Sequence, residues 1–264
     1  MTMPDLAQTN LQLLREVLAA EWSDADLQRL RAAYELTMWA FTGQYRAHGK
    51  TQIAHHVGVA SALQRTGARP ALVIAGVAHS LYFLGEFGTG RVGPHEEKRA
   101  RVRRDLGTEI ERIIYEYTEL PWSRASVAQL PAEAATASAP RRDAVVLRVA
   151  NEVDEHADAE NRWSATDPNF DLVGPDVVDL VVVVAEAYGV PDLGVLLREA
   201  DAAGAALLVA GVLVSPQENT VFVPPASYRR RAHVAAQDSG LGHELAARVP
   251  GARRAAAWVR AKLA

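Results

Sequence analysis

Residues 40–82 constrain this chain more than any other stretch, because two histidine-bearing helical patterns stand there in tandem with one tight break between them. The first begins near Gln52 and carries Ile53, Val57, Ala60 and Leu63 on one face, the spacing of a helix that buries a single side. Gly67 supplies its C-terminal stop, and Pro70 sits where the first turn of a following helix tolerates a missing N–H. The second pattern carries Leu72, Ala75, Gly76, His79 and Phe83, which puts His79 on the buried side, while His55 and His56 ride near the start of the first. Small residues around His79 (Ala75, Gly76, Ala78 and Ser80) let a neighbouring helix come close. Imidazoles brought together from antiparallel helices are how bundles build internal sites. The plainer reading of each histidine, taken singly, is a core side chain with its hydrogen bonds satisfied.

The flanks extend the helical reading. Residues 6–20 form a short amphipathic pattern, and Ser23 with Asp26 opens a capping-box-like start for the next. There Leu27, Leu30, Tyr34, Met38 and Phe41 step by three and four, and Trp39 and Phe41 are expected to pack over the histidine helices. Four glycines between 85 and 93 read as a connector, with a lid over a nearby site as the alternative. They follow a helix and lack a closing Gly-Lys-Ser/Thr, so they do not form a phosphate cradle. From Pro94 a helix carries Lys98, Arg99, Arg101, Arg103 and Arg104, read as a solvated face. Thr108 and Glu111 suggest another capping box ahead of the stripe Ile110, Ile113, Ile114 and Tyr117.

Residues 121–142, rich in Pro, Ala and Ser, read as a long loop with room for a turn of helix. Helical spacing resumes at Asp143, with Val145, Val149 and Val153 on one side and Asn151, Asp154, Glu155 and Asp158 on an adjoining face. That acidic face is either solvent surface or a third wall of the histidine site. Val177–Tyr188 and Asp192–Ala203 read as two more helices. Residues 205–213 stay open between buried helix and strand, and Val221–Val223 is extended. Ser227–Arg231 starts a helix whose arginine triplet is surface charge or an anion site. The last residues are helical by propensity.

Composition removes whole classes of function. With no cysteine there is no disulfide, thiolate nucleophile or zinc–cysteine site. A net charge of −4 argues against general nucleic-acid affinity. The longest apolar runs, 177–185 and 202–214, are too short or too interrupted to span a bilayer. The N-terminus lacks the basic and apolar regions of a signal peptide. A cytoplasmic protein without membrane contact is expected.

The run Gly43-Gln44-Tyr45-Arg46-Ala47-His48-Gly49-Lys50-Thr51-Gln52-Ile53-Ala54-His55 fits G-Q-x-R-x-x-G-x-x-x-I-x-H without a gap. It resembles the HD-domain superfamily, and within it the hydrolase domain of stringent-response (p)ppGpp hydrolases. His79-Ser80 falls at the family's His-Asp position, 106–120 is similar to its next helix, and 145–153 to its lysine-leucine-alanine-aspartate segment. The resemblance covers roughly residues 26–163. It implies an all-α, HD-domain-like bundle over 1–163, with 164–264 as a mostly helical C-terminal extension packed on it.

Carried across, the resemblance puts His55 and His79 at the two metal-histidine positions, Ser80 in place of the superfamily aspartate and Asn151 in place of the distal metal aspartate. Arg46 matches an arginine that contacts the base in the family. The acidic pair that orients the attacking water is here Phe83 and Leu84, and a nucleotide-supporting asparagine is Glu155. Hydroxyl and carboxamide are weak donors to Mn²⁺ or Fe²⁺ and leave the ion's charge unbalanced. The expectation is therefore no cofactor and no metal ligand set, with His56, Asp154 or Glu155 as the available rescuers.

What remains suits acid–base chemistry. His55, His79, Ser80 and Asn151 are the expected catalytic residues, with Arg46, His56, Tyr82, Asp154 and Glu155 binding substrate. Proton transfer, elimination or cyclisation on a small polar or anionic substrate is the leading expectation. Two alternatives stand beside it. One is a non-catalytic HD-like protein that binds a nucleotide, an anion, a protein partner or a second copy of itself. The other is a metal-dependent phosphohydrolase with a remodelled site.

Overall fold

A computed structural model describes residues 5–46, 49–88, 91–159 and 175–206. Every regular element in them is a helix, as the spacing predicts. In chain order these are α1 (Asn10–Ala19), α2 (Asp24–Phe41), α3 (Gln52–Arg65), α4 (Pro70–Ala78), α5 (Glu96–Leu106) and α6 (Thr108–Glu119). There follow α7 (Arg124–Val127), α8 (Leu130–Glu133), α9 (Ala139–Ala157), α10 (Pro175–Ala187) and α11 (Pro191–Ala205). A lone antiparallel bridge, Tyr45 to Thr51, is the sole extended pairing among the described residues.

The central pair is α3 and α4. Thr51 caps α3 by accepting from the Ala54 N–H at 3.1 Å, Gly67 turns at φ +73°, and Pro70 opens α4. Both are buried nearly all round, α3 from His55 to Leu63 and α4 from Ala71 to Ala78, which marks helices enclosed by others. They cross closely because Gly76 has no side chain: a Cβ there would sit 3.1 Å from the Ala60 Cα. Around them, α2 and α6 pack on α4, α1 and α9 on α3, and α9 also on α6. The C-terminal pair α10 and α11 joins the same core through Val177, Val181, Leu193 and Leu197, with α11 lying along α9. The expected domain boundary falls within 160–174, outside the described residues.

Several local expectations change. Helix α4 stops at Ala78, so His79 is its C-cap, and the chain continues to Leu84 in a turn whose Phe83 and Leu84 amides both bond Ser80 O. The 121–142 segment holds two single-turn helices, and α9 starts at Ala139 because Pro140 fits a first turn. No Thr108 capping box forms: Gly107, at φ +93°, is the N-cap, and Glu111 is buried instead. The basic helix α5 is not wholly solvated, since Lys98 is buried and donates to Gly85 O at 3.0 Å. Trp39 lies 47% exposed against Phe87, and Phe41 alone reaches the histidines. The 205–213 segment (beyond Ala206), the 221–223 strand, the 227–231 arginine triplet and the final helix lie outside the described residues.

Candidate functional site

The two histidine-bearing segments do meet. His55 and His56 project from the first turn of α3 and His79 from the end of α4, and all three imidazoles are fully buried. Ring centroids stand 5.1 Å apart for His55–His79, 4.7 Å for His56–His79 and 5.6 Å for His55–His56. Aromatic edges close the group, Phe41 against His56 at 4.7 Å and Tyr117 against His79 at 5.1 Å.

Hydrogen bonds fix the tautomers. His79 Nδ1 lies 2.8 Å from Gly76 O, a group that only accepts, so Nδ1 carries the proton. His55 Nδ1 lies 2.7 Å from Asp154 Oδ2, and donation to this carboxylate likewise puts the proton on Nδ1. Both Nε2 atoms are thereby lone pairs with no close hydrogen-bond partner among the described residues, although Asn151 lies near enough to interact with His79. His56 has no hydrogen-bond partner at either nitrogen among the described residues. Burial holds all three imidazoles neutral, well below their ordinary range for His55 and His56 and down to about 3 for His79; the nearby Arg46 charge adds to the effect.

The acidic face of α9 is a wall of the site, not solvent surface. Asn151 interacts with His79, while its Nδ2 has no close hydrogen-bond partner among the described residues. Asp154, Glu155 and Glu152 are each buried, and each meets a basic side chain. Lys50 Nζ stands 2.8 and 3.0 Å from the two Asp154 oxygens. Arg46 Nη2 bonds Glu155 Oε1 at 2.7 Å, and Arg148 Nη2 lies 3.1 Å from Glu152 Oε1. Burial pushes the Asp154 carboxyl up to about 7 against the pull of Lys50. Burial also raises Glu152 to about 7, with Glu155 beside it adding to the rise.

The loop between α2 and α3 delivers these cations. Arg46 N bonds Lys50 O at 2.8 Å and Gln52 N bonds Gln44 O at 3.1 Å, with Gly43 and Gly49 at positive φ. The narrow turn sets Arg46 and Lys50 on the same wall.

Seven of the nine expected site residues therefore gather here: Arg46, His55, His56, His79, Asn151, Asp154 and Glu155. Ser80 is buried beside His79 in sequence but makes no side-chain hydrogen bond among the described residues, so nothing ties its hydroxyl to the group. Tyr82 is not brought in: its phenol donates to Glu111 Oε1 at 2.9 Å, where Arg99 also binds at 2.7 Å. Sequence reasoning missed Lys50 and Arg148, whose partners are either distant in the chain or hidden among surface-like charges. It also missed Trp122, whose indole donates to Glu152 at 3.0 Å. The cleft lined by Ser126, Leu130, Glu133 and Arg141 shares no residue with this group.

The divalent ion that the resemblance implies does not fit this donor set. The imidazoles are suitable, but Ser80 and Asn151 are neutral, and the nearby carboxylates that could supply anionic ligands already hold cations of this chain. Among the described residues no group of three or more His, Asp or Glu side chains is arranged to hold a metal.

Residues 39–121 match the model of a family described only as a domain of unknown function (DUF6817). The match takes in the three histidines and ends before α9, so it excludes Asn151 and Asp154. Among curated proteins none matches the chain.

Proposed function

We propose that this chain is an HD-domain-like cytoplasmic protein that performs acid–base catalysis on a small polar substrate without a divalent metal. The observation that carries the reading is the pair of oriented Nε2 lone pairs on His55 and His79, neither with a close hydrogen-bond partner among the described residues. His55 is the general base, because Asp154 both aims its ring and stabilises the imidazolium that forms when Nε2 takes a proton. His79, held neutral by burial, accepts a hydrogen bond and orients the substrate. Asn151, beside His79, offers its amide N–H to charge that develops in the transition state. Two bare acceptors call for a substrate that brings donors, such as hydroxyl or amino groups, more than for a phosphate. Proton transfer, elimination and cyclisation all suit this set, and water attack on a phosphodiester does not.

The test is a mass-spectrometric screen of hydroxylated and amino compounds, and of nucleotides, with chelator present throughout. Turnover that survives chelation and disappears in His55→Ala supports the reading. Turnover that requires added Mn²⁺ replaces it with a remodelled phosphohydrolase. A second reading, ligand binding without turnover, is favoured by the burial that lowers the imidazole pKa values and so weakens these rings as bases. A ligand that raises the melting temperature, depends on His55 and emerges unchanged would establish it.

A further inference from the structure

Buried polar atoms without a hydrogen-bond partner are costly to a fold, and several of them on one wall mark a place where something else supplies the bonds. Here the acceptors are His55 Nε2, His79 Nε2 and Glu155 Oε2, and the donors are Asn151 Nδ2 and Arg148 Nε; none has a close partner among the described residues. Arg148, Asn151 and Glu155 follow one another at i, i+3 and i+7 on α9, so they form a single stripe. That stripe meets the imidazoles: Asn151 interacts with His79, and Arg148 Nη1 donates at 3.0 Å to the hydroxyl of Tyr117, whose ring lies 5.1 Å from His79. The charges of this wall are already matched. Lys50 holds Asp154 at 2.8 Å, Arg46 holds Glu155 at 2.7 Å and Arg148 holds Glu152 at 3.1 Å. A ligand with its own net charge would therefore be buried without a counter-ion, which disfavours an amine, protonated at neutral pH, and an anion alike. A hydroxyl is uncharged, and it both donates and accepts, so one kind of group answers both sets of atoms.

We propose that the histidine site takes an uncharged ligand with hydroxyls on adjacent carbons, a polyol or carbohydrate. Its hydroxyls donate to His55 Nε2, His79 Nε2 and Glu155 Oε2 and accept from Asn151 Nδ2 and Arg148 Nε. The His55 and His79 rings, 5.1 Å apart, are spaced for neighbouring hydroxyls to reach one each. The inference rests on the site of the proposed function and names the class of molecule it receives.

The probes are ethane-1,2-diol, ethanol, ethanolamine and glycolate, together with the same pairs of substituents on a cyclohexane ring. Each is titrated into the full chain at neutral pH and followed by the histidine ¹⁵N signals. In at least one of the two series the diol should bind at least threefold more tightly than the mono-alcohol, the ammonium or the carboxylate. It should move the Nε2 signals of His55 and His79 upfield, as a lone pair does on accepting a hydrogen bond. In Asn151→Leu the preference for the diol should disappear. The parent protein alone decides the matter, so a variant that does not fold leaves the test standing. A charged member or the mono-alcohol that binds as tightly as the diol overturns the proposal. So does a failure of every compound to move the two signals, which would leave water as the partner of these atoms. Diol binding without turnover of any compound would sink the proposed catalysis and keep this inference; turnover of a charged substrate that depends on His55 would do the reverse.

Discussion

Asp154 stands directly over Gly58: a Cβ built on that glycine would lie 1.8 Å from Asp154 Oδ1. The carboxylate that carries both His55 and Lys50 thus rests on bare helix backbone one turn after His55. Gly58→Ala would gain about 1 kcal/mol of helix propensity but must push Asp154 off its partners. Overpacking of this kind costs about 1–3 kcal/mol, and the disturbed ion pair adds to it. Urea denaturation should show a net loss of about 2 kcal/mol, with the His55 Nδ1–H signal gone from the ¹⁵N spectrum. A variant as stable as the parent would mean that Asp154 lies elsewhere.

That contact marks the limit of what the sequence displays. The α2, α3 and α4 helices were legible because caps, glycine and proline stops and apolar spacing are local signals that agree with one another. The meeting of His55 with His79 was legible because a short break forces consecutive helices to pack antiparallel. Lys50–Asp154, 104 residues apart, has no local signature. Nor does the burial of Lys98 in a helix that otherwise reads as charged surface. The single-turn α7 and α8 are too short for any period to register. Tyr82 was assigned by nearness in sequence to His79, but the chain leaves the helix at His79 and turns the phenol toward Glu111.

Acid should unfold this protein early. His55, His56 and His79 have folded pKa values below the unfolded value of 6.5. Their stability is complete above 6.5 and lost as the pH falls toward the folded values. Asp154 and Glu152, raised to about 7 from 3.8 and 4.5, act oppositely: their contribution is present at low pH and lost as pH rises through 7. Three imidazoles against two carboxyls leave stability rising by about 1.4 kcal/mol per pH unit between roughly pH 4.5 and 6.5. Urea titrations at half-unit intervals measure the slope, and a falling one would show the imidazoles charged in the fold.

His56→Phe isolates one of these protons. His56 packs edge-on to Phe41 with no hydrogen-bond partner at either nitrogen among the described residues, so a phenyl ring keeps the aromatic contact and removes two unsatisfied polar atoms. Stability at pH 7 should hold or rise by about 1 kcal/mol. The acid slope should flatten by one proton. A loss above about 2 kcal/mol would instead reveal a hydrogen-bonded role for this ring.

Arg46 and Glu155 should prove strongly coupled. Their side chains are 15% and 8% exposed and joined at 2.7 Å, and Glu155 sits near a second buried acid, Glu152. Arg46→Ala strands that charge and should cost about 3 kcal/mol. Removing Glu155 as well should restore part of the loss, giving a coupling energy above about 1 kcal/mol in a double-mutant cycle. Additive losses would place the two residues in separate environments.

Tyr82→Phe separates support of the fold from support of the site. The phenol is fully buried, and its hydroxyl is one of several donors on Glu111. Burial and the Glu111 charge both keep it protonated, raising its pKa. Deleting a hydrogen bond to a charged acceptor costs about 1.5–3 kcal/mol, and the lower figure applies because Arg99 still satisfies the carboxylate. Chemical denaturation should register that loss. The histidine group touches neither Tyr82 nor Glu111 through any ring contact or hydrogen bond described above, so the His55 and His79 ¹⁵N signals should not move. A shift in either would join Tyr82 to the imidazole group after all, as the sequence alone suggested.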